Sequence, residues 1–444
     1  MHPVESYSLV DERTEFFLDK IRKRKLVVGV LGLGYVGLPL IVAFAEAGFS
    51  TLGFDLNEAT VQNLNTGISH IRDVASEKVQ QLVSAQTLNV TSDFSRLREC
   101  DVAIICVPTP LSDTRDPNLD AVKSAVSAIS TTLQEGQLVV LESTTYPGTT
   151  DEIVRPLLEE KLKAGQDFFL AFSPERIDPG NSKFPIHKVP KVVGGHTSQC
   201  LKVARALYDC IVERTVAVSS TQAAELTKLL ENIFRSVNIA LVNEMALLCD
   251  KMKIDIWEVI DAASTKPYGF MPFSPGPGLG GHCIPVDPFY LSWKAREYDF
   301  QTHFIELAGE INRAMPYHVV DKILYALNDV GKPLKNTSVA LLGMSYKANI
   351  GDCRESPSLK IAELLIERGA RLSYNDPYVE SVEINGHSFT SAPITEVTNA
   401  DCVVLLTNHS DYDYTDIASS ASLIVDTRNA FKGVTSPSAH IVKL

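Results

Sequence analysis

A thiol stands in an unusual setting near the middle of this 444-residue chain. Cys283 lies in "GPGLGGHCIPVDP", residues 276–288, among four glycines and three prolines. Glycine frees the backbone and proline removes N–H donors, so the stretch is neither helix nor central strand. It is a loop, and a thiol on such a loop is either idle or the reason for the loop. Upstream, Lys228 and Asn232 are four residues apart in a helical pattern and share one face. A buried lysine is costly unless it is paired or used, whereas a solvated lysine is unremarkable. Spacing alone leaves both readings open.

A second chemistry lies near the start. A β-rich run, Leu26 to Leu31, leads into Gly32-Leu33-Gly34-Tyr35-Val36-Gly37. A helical pattern follows to Ala47, and a short strand then ends at Asp55. This is the setting of a dinucleotide fingerprint. Gly32 permits the tight turn, Gly34 lets backbone approach a pyrophosphate, and Gly37 lets helix and strand pack closely. The free N–H groups of the helix start, reached through Tyr35 and Val36, suit phosphate charge. Asp55 can accept from both ribose hydroxyls and would repel a 2′-phosphate, which predicts NAD rather than NADP.

The elements that must position these groups follow an α/β rhythm. Residues 101–110, 137–150 and 168–181 read as buried strands ending in polar loops, with helical segments between them. Strands alternating with helices predict a parallel, doubly wound sheet, which binds ligands at strand C-termini. Thr109, Ser143, Thr144 and Glu175 occupy such ends, where each taken alone would read as a helix cap. Residues 219–252 form one helical pattern without Gly or Pro. Its Leu226, Leu230, Ile233, Val237 and Leu241 predict a buried stripe, at a domain or subunit junction. After a further helical stretch, about 302–329, residues 338–377 read as strand, loop, helix, strand, and 401–409 and 423–431 add strands. The loop 345–355 brings Lys347 and Arg354 to a sheet edge, chemistry suited to a charged ligand.

Composition narrows the class. Hydrophobic residues make up 45% and charged residues 21%, ordinary for a globular protein. A net charge of −13 argues against general affinity for nucleic acid or anionic membrane, though not against a local basic pocket. The apolar run 26–49 imitates a membrane span, but the glycine fingerprint, Pro39 and Glu46 give it a better reading. The eight cysteines include no CxxC spacing, so no metal ribbon is expected. The charged first 25 residues do not resemble a signal peptide, and a cytoplasmic protein with reduced thiols is expected.

Taken in order, "GLGYVGLP", "VPTP", "EST", "SPER", "ELTKLLEN", "GPGLGGHCIPVDP", "SYKANIGDCRES" and "DTRNAF" resemble the UDP-glucose/GDP-mannose dehydrogenase family over nearly the whole chain. The resemblance implies two Rossmann-like domains joined by a helical, dimer-forming one. The divisions expected are an extension 1–24, an NAD-binding domain 25–217, a central domain 218–330 and a UDP-sugar-binding domain 331–444. It also implies oxidation of the C6 alcohol of a nucleotide sugar to a carboxylate in two NAD-dependent steps. Cys283 matches the nucleophile that holds the aldehyde as a thiohemiacetal, then as a thioester released by water. Lys228 would stabilise oxyanions, Asn232 would help hold the oxygen, and Asp287 would order water or accept protons. Thr144 and Glu175 would lie beside the reacting carbon. Lys347 and Arg428 match substrate contacts, Arg354 a cofactor contact, and the glycines around Cys283, Gly280 among them, would admit substrate and nicotinamide.

The chain departs from the UDP-glucose pattern at Glu175-Arg176-Ile177-Asp178, where UDP-glucose members carry a bulky apolar residue after the glutamate. It also has "TKPYGFMPF" where many members place an arginine that reaches the neighbouring subunit. With "SPERIDPG", these features are most similar to the branch acting on UDP-N-acetylhexosamines. UDP-N-acetyl-D-glucosamine is the expected substrate and surface polysaccharide the expected product pathway. UDP-N-acetyl-D-mannosamine and UDP-glucose are the alternatives, and a catalytically silent NAD-binding protein is the alternative from another class.

Overall fold

A computed structural model describes residues 3–112, 116–177, 184–281, 284–435 and 437–444, with side chains from residue 10 onward. Cys283, the expected nucleophile, lies outside the described residues, as does Asp178. The chain forms two compact units, Met1–Glu231 and Asn232–Leu444.

The first unit is built on eight strands: β1 (Val27–Leu31), β2 (Ser50–Phe54), β3 (Leu88–Thr91), β4 (Val102–Ile105), β5 (Leu138–Leu141), β6 (Phe169–Phe172), β7 (Lys191–Gly195) and β8 (Thr215–Val218). Their order is β3-β2-β1-β4-β5-β6-β7-β8, so the strand order reverses between β1 and β4. That is the switch point at which doubly wound sheets bind nucleotides. β1, β4, β5 and β6 are apolar on both faces because helices cover both. One pairing departs from the expected all-parallel sheet. β7 runs antiparallel to β6, with Ala171 opposite Gly195 and Phe172 opposite Gly194. Among the described residues the connection from β6 to β7 holds only a single 3-10 turn, Ile186–Lys188, and the chain returns in the opposite direction.

The extension, which had no expected structure, is a helix, Pro3–Arg22, on this unit. Phe17, Leu18 and Ile21 enter the core, with Phe17 edge-on to Phe169 at 5.6 Å. Its outer face is tied by Lys202–Glu15 at 2.7 Å and by Lys20–Asp101.

The second unit carries the remainder of the helix Thr221–Met252, then the helices Ile256–Ser264, Asp287–Ala295 and His303–Asp329. A parallel sheet follows, formed by β9 (Ser338–Leu342), β10 (Arg371–Asn375), β13 (Cys402–Leu405), β14 (Leu423–Asp426) and β15 (His440–Lys443) in the order β10-β9-β13-β14-β15. A hairpin, β11 (Ser381–Ile384) and β12 (His387–Thr390), is inserted after β10. The architecture is therefore α/β, with two Rossmann-like sheets and a helical region between them in sequence.

The long helix corrects the expected stripe. Leu226, Leu230 and Leu241 are 42%, 63% and 53% exposed. The face that the chain buries instead carries Ala224, Glu225, Lys228, Leu229, Asn232, Ser236, Ala240 and Asn243. The leucines do repeat with helical period, but their face is not covered by this chain. The polar face is, because its side chains have hydrogen-bond partners there.

Candidate functional site

In the first unit the Gly-rich loop leaves β1 and opens the helix Gly37–Glu46. Gly32 has φ +89°, and a Cβ there would meet the Cys106 carbonyl oxygen at 2.7 Å. A Cβ on Gly37 would lie 1.8 Å from the Gly32 oxygen, so helix and turn touch backbone to backbone. A Cβ on Gly34 would meet no protein atom within 4 Å. The loop thus presents bare backbone to open space at that point. The helix start has no side-chain cap. Asp55 accepts from Leu33 N at 3.0 Å through Oδ2 and from Asn57 N at 2.9 Å through Oδ1, which fixes its carboxylate against the glycine turn. Bare backbone, uncapped helix N–H groups and an acid at the tip of β2 fit a dinucleotide pyrophosphate and ribose.

The ends of β4, β5 and β6 form the rest of this edge. Ser143 donates to Val107 O at 2.8 Å, which staples the loop after β5 to the loop after β4, and Thr109 is buried beside them in sequence. Thr144 is half-buried. Lys228 Nζ donates to the Glu175 carbonyl at 2.6 Å. The Glu175 carboxylate accepts from Arg176 N and Ile177 N through Oε1, both at 2.7 Å, and from Lys191 Nζ through Oε2 at 3.1 Å. Lys191 also donates to Glu142 at 2.8 Å. Three charged residues that the sequence did not single out, Glu142, Lys191 and Glu225, are thus buried in this unit. Glu225 accepts from Gly148 N at 2.6 Å and from Thr150 N at 2.9 Å. Burial pushes its carboxyl up to about 7, against the pull of those donors. No sequence signal pointed to Lys191, because only the antiparallel return of β7 brings it to the carboxyl ends of β5 and β6.

Arg176 is held against the protein. Its guanidinium pairs with Glu231 at 2.7 Å and donates to Pro190 O at 2.6 Å. Those partners, rather than solvent, hold it, and Glu231 is one helical turn beyond Lys228.

In the second unit Asn232 donates to the buried Asp287 carboxylate and accepts from Arg235. Asp287 opens the helix that follows the cysteine loop. The loop's glycines also have a packing reason. A Cβ on Gly280 would meet Tyr346 Cβ at 2.5 Å, and one on Gly281 would meet the Tyr346 ring at 2.8 Å. A Cβ on Gly276 would meet the Arg428 guanidinium at 2.6 Å. The missing side chains let the loop lie against the 345–357 segment and Arg428. Gly276 N donates to Asn243, and Gly281 N donates to the Arg354 carbonyl, so the loop is anchored before and after Leu279.

Arg428 donates from Nε to Leu406 O at 2.9 Å, and burial lowers its pKa to about 10. Lys347 sits on a loop pinned by Ser345 Oγ to the Lys347 carbonyl at 3.0 Å and by Thr407 to the Ser345 carbonyl. Arg354 chelates Asp352 through Nε and Nη2, the latter at 2.6 Å. Asn232, Asp287, Gly280, Lys347, Arg354 and Arg428 are therefore organised in the second unit. The Gly-rich loop, Asp55, Ser143, Thr144, Glu175, Arg176 and Lys228 are organised in the first.

A dinucleotide turn at the end of β1, a buried lysine bonded at the end of β6 and a second Rossmann-like sheet fit an NAD-dependent oxidoreductase. The chain matches the NAD binding domain of the UDP-glucose/GDP-mannose dehydrogenase family over residues 26–212, the central domain over 222–314 and the UDP binding domain over 340–433. It belongs to that family, and its class is NAD-dependent nucleotide-sugar 6-dehydrogenase. It is 34% identical over 413 residues to a UDP-N-acetyl-D-mannosamine dehydrogenase of Pyrococcus horikoshii, covering 91% of this chain and 96% of the relative. It is 35% identical over 394 residues to a UDP-N-acetyl-D-glucosamine 6-dehydrogenase of Pseudomonas aeruginosa, covering 88% and 92%. Among solved structures, the UDP-D-ManNAc dehydrogenase of P. horikoshii superposes with a TM-score of 0.84 at 31% identity, covering 94% of this chain and 98% of that one. No helix among the described residues is long and apolar enough to cross a membrane.

Proposed function

We propose that the protein oxidises UDP-N-acetyl-D-glucosamine at C6 to the uronate, for surface polysaccharide synthesis. The observation that carries the substrate is the Arg176–Glu231 pair. It puts a polar, charged wall one turn from Lys228, where UDP-glucose members carry a bulky apolar residue. An acetamido group brings an N–H and a C=O that need partners, and leaving either unpaired costs about 1–3 kcal/mol. NAD bound at the Gly-rich loop supplies the electron acceptor for both oxidations.

This chain's residues do the rest. The Cys283 thiolate adds to the C6 aldehyde to give a thiohemiacetal. Oxidation turns that adduct into a thioester, and water releases the uronate and the thiol. Lys228 stabilises the oxyanions, and the Asn232–Asp287 pair holds the reacting oxygen and the hydrolytic water. Lys347 and Arg428 hold the nucleotide diphosphate. The divisions 25–217, 218–330 and 331–444 separate cofactor, helical and UDP-sugar duties. The exposed leucines of the long helix suit a homodimer, to be checked by sedimentation. Seven described cysteines, all free thiols, suit the cytoplasm.

NADH formation with a panel of UDP-sugars tests the substrate. The expected order puts UDP-N-acetyl-D-glucosamine first in kcat/KM. UDP-glucose turned over as well or better would remove the acetylhexosamine assignment. The P. horikoshii likeness favours a second reading, UDP-N-acetyl-D-mannosamine, which the same panel separates by its C2 configuration.

A further inference from the structure

Three groups outside the expected catalytic set, Glu142, Lys191 and Tyr208, meet Glu175 at the carboxyl ends of β5 and β6. Lys191 opens β7 and is fully enclosed. Its Nζ donates to Glu142 Oε2 at 2.8 Å and to Glu175 Oε2 at 3.1 Å, and lies 5.2 Å over the Tyr208 ring. The Tyr208 hydroxyl donates to the other Glu142 oxygen. The second Glu175 oxygen takes the amides of Arg176 and Ile177. Each of the four carboxylate oxygens therefore has a donor. A carboxylate held at both ends fixes its own peptide, and the Glu175 carbonyl is the group that receives Lys228 Nζ.

We propose that Lys191 is a positioning residue for the dehydrogenase reaction: with Glu142 it forms a buried strut that fixes Glu175 and, through the Glu175 carbonyl, aims the Lys228 ammonium. The inference rests on the proposed role of Lys228. It deepens that role by giving Glu175 the task of a support rather than a base, since its oxygens are already occupied. The charge count supports this. Two buried carboxylates at this spacing cannot both stay ionised without a cation between them. Burial pushes Glu175 up, yet Lys191 and the Ile177 amide outweigh it and hold the acid below its ordinary value. Burial likewise lowers Lys191, and the two glutamates more than reverse that. Glu142, with Lys191 on one oxygen and Tyr208 on the other, stays raised by burial. Lys228 also faces Glu175 and favours its ionised form, and Cys106, which faces the cluster too, is a thiol that burial keeps protonated.

The test is the double variant Lys191→Met/Glu142→Gln. It removes one positive and one negative charge together, so the buried balance is kept and Glu175 alone loses its cation. Melting temperature and NADH affinity should match the wild type. With UDP-N-acetyl-D-glucosamine, kcat should fall roughly 30-fold or more with KM little changed, because only an oriented charge is lost. The acid limb of the kcat–pH profile should move up by roughly one pH unit or more as Glu175 loses its cation. Lys191→Arg, which keeps the cation, should keep the acid limb in place. A double variant with wild-type kcat, or with kcat lost but the acid limb unmoved, would overturn the strut. If the wild type oxidises no UDP-sugar, the proposed function falls while the strut is still read directly. Infrared titration of the carboxylate band, assigned with Glu175→Gln, should show Glu175 ionised in acid in the wild type and protonated there in the double variant. An unchanged titration would overturn the strut on its own.

Discussion

Two single-methyl changes in the Gly-rich loop should separate binding from folding. In Gly34→Ala the new Cβ meets no protein atom within 4 Å, and Gly34 has no positive φ. The folded protein therefore accommodates it, and the lost chain freedom of the unfolded state adds up to about 1 kcal/mol of stability. The methyl instead fills the space that bare backbone offers to a pyrophosphate. Weakening one or two charge-assisted hydrogen bonds there costs about 1.5–3 kcal/mol, or roughly 10- to 100-fold in NAD affinity. In Gly37→Ala the Cβ sits 1.8 Å from the Gly32 oxygen and 3.2 Å from Val30 Cγ1. Ordinary contact at 3.4 Å requires helix and turn to part by roughly 1.6 Å, which strains the Gly32 N to Phe54 O bond at 2.8 Å. At about 3 kcal/mol of overpacking, melting should fall by roughly 6–12 °C. NADH fluorescence titration and thermal melting read the two effects. NAD affinity of Gly34→Ala within twofold of the wild type would refute the loop as the pyrophosphate site. A Gly37→Ala protein as stable as the wild type would refute the backbone contact.

Cys283→Ser should abolish the net four-electron turnover and trap an ester-linked intermediate visible by intact mass, because an alkoxide leaves far less readily than a thiolate; full steady-state activity would remove Cys283 from the mechanism. Asp55→Ala should weaken NAD binding roughly tenfold, by loss of the ribose acceptors and of the Leu33 N–H contact, and should improve NADP use, as read from kcat/KM for the two cofactors. Glu225, with a folded pKa of about 7 above its ordinary 4.5, binds more protons folded than unfolded between those values. Its contribution is complete below about pH 4.5 and is lost as pH rises through about 7, a swing of about 3 kcal/mol. The melting temperature of the wild type relative to Glu225→Gln should therefore fall across that window and level off above it; a flat difference would refute a protonated Glu225.

Much of the cofactor half was legible in the chain because local rules write it directly. The β1 run, the Gly32/Gly34/Gly37 spacing and Asp55 are all set within about thirty residues, and each glycine answers a backbone need. The helix pattern at 219–252 was legible as well, and it runs Thr221–Met252. Which side of it faces inward was not. Hydrophobic period points to the leucines, but the chain buries the face bearing Glu225, Lys228 and Asn232, whose partners come from distant segments. The glycines near Cys283 were legible as a loop. That Gly276 and Gly280 make room for Arg428 and Tyr346, from 152 and 66 positions further on by their numbering, is a matter of packing alone. The same holds for Lys191. Its neighbours Glu142 and Glu175 come from strands β5 and β6, and only the antiparallel β7 sets its ammonium between them. Local sequence determines turns, strands and helix starts because those depend on φ/ψ preference and nearby hydrogen bonds. The pairing of buried charges depends on strand direction and sheet order, which the tertiary fold decides.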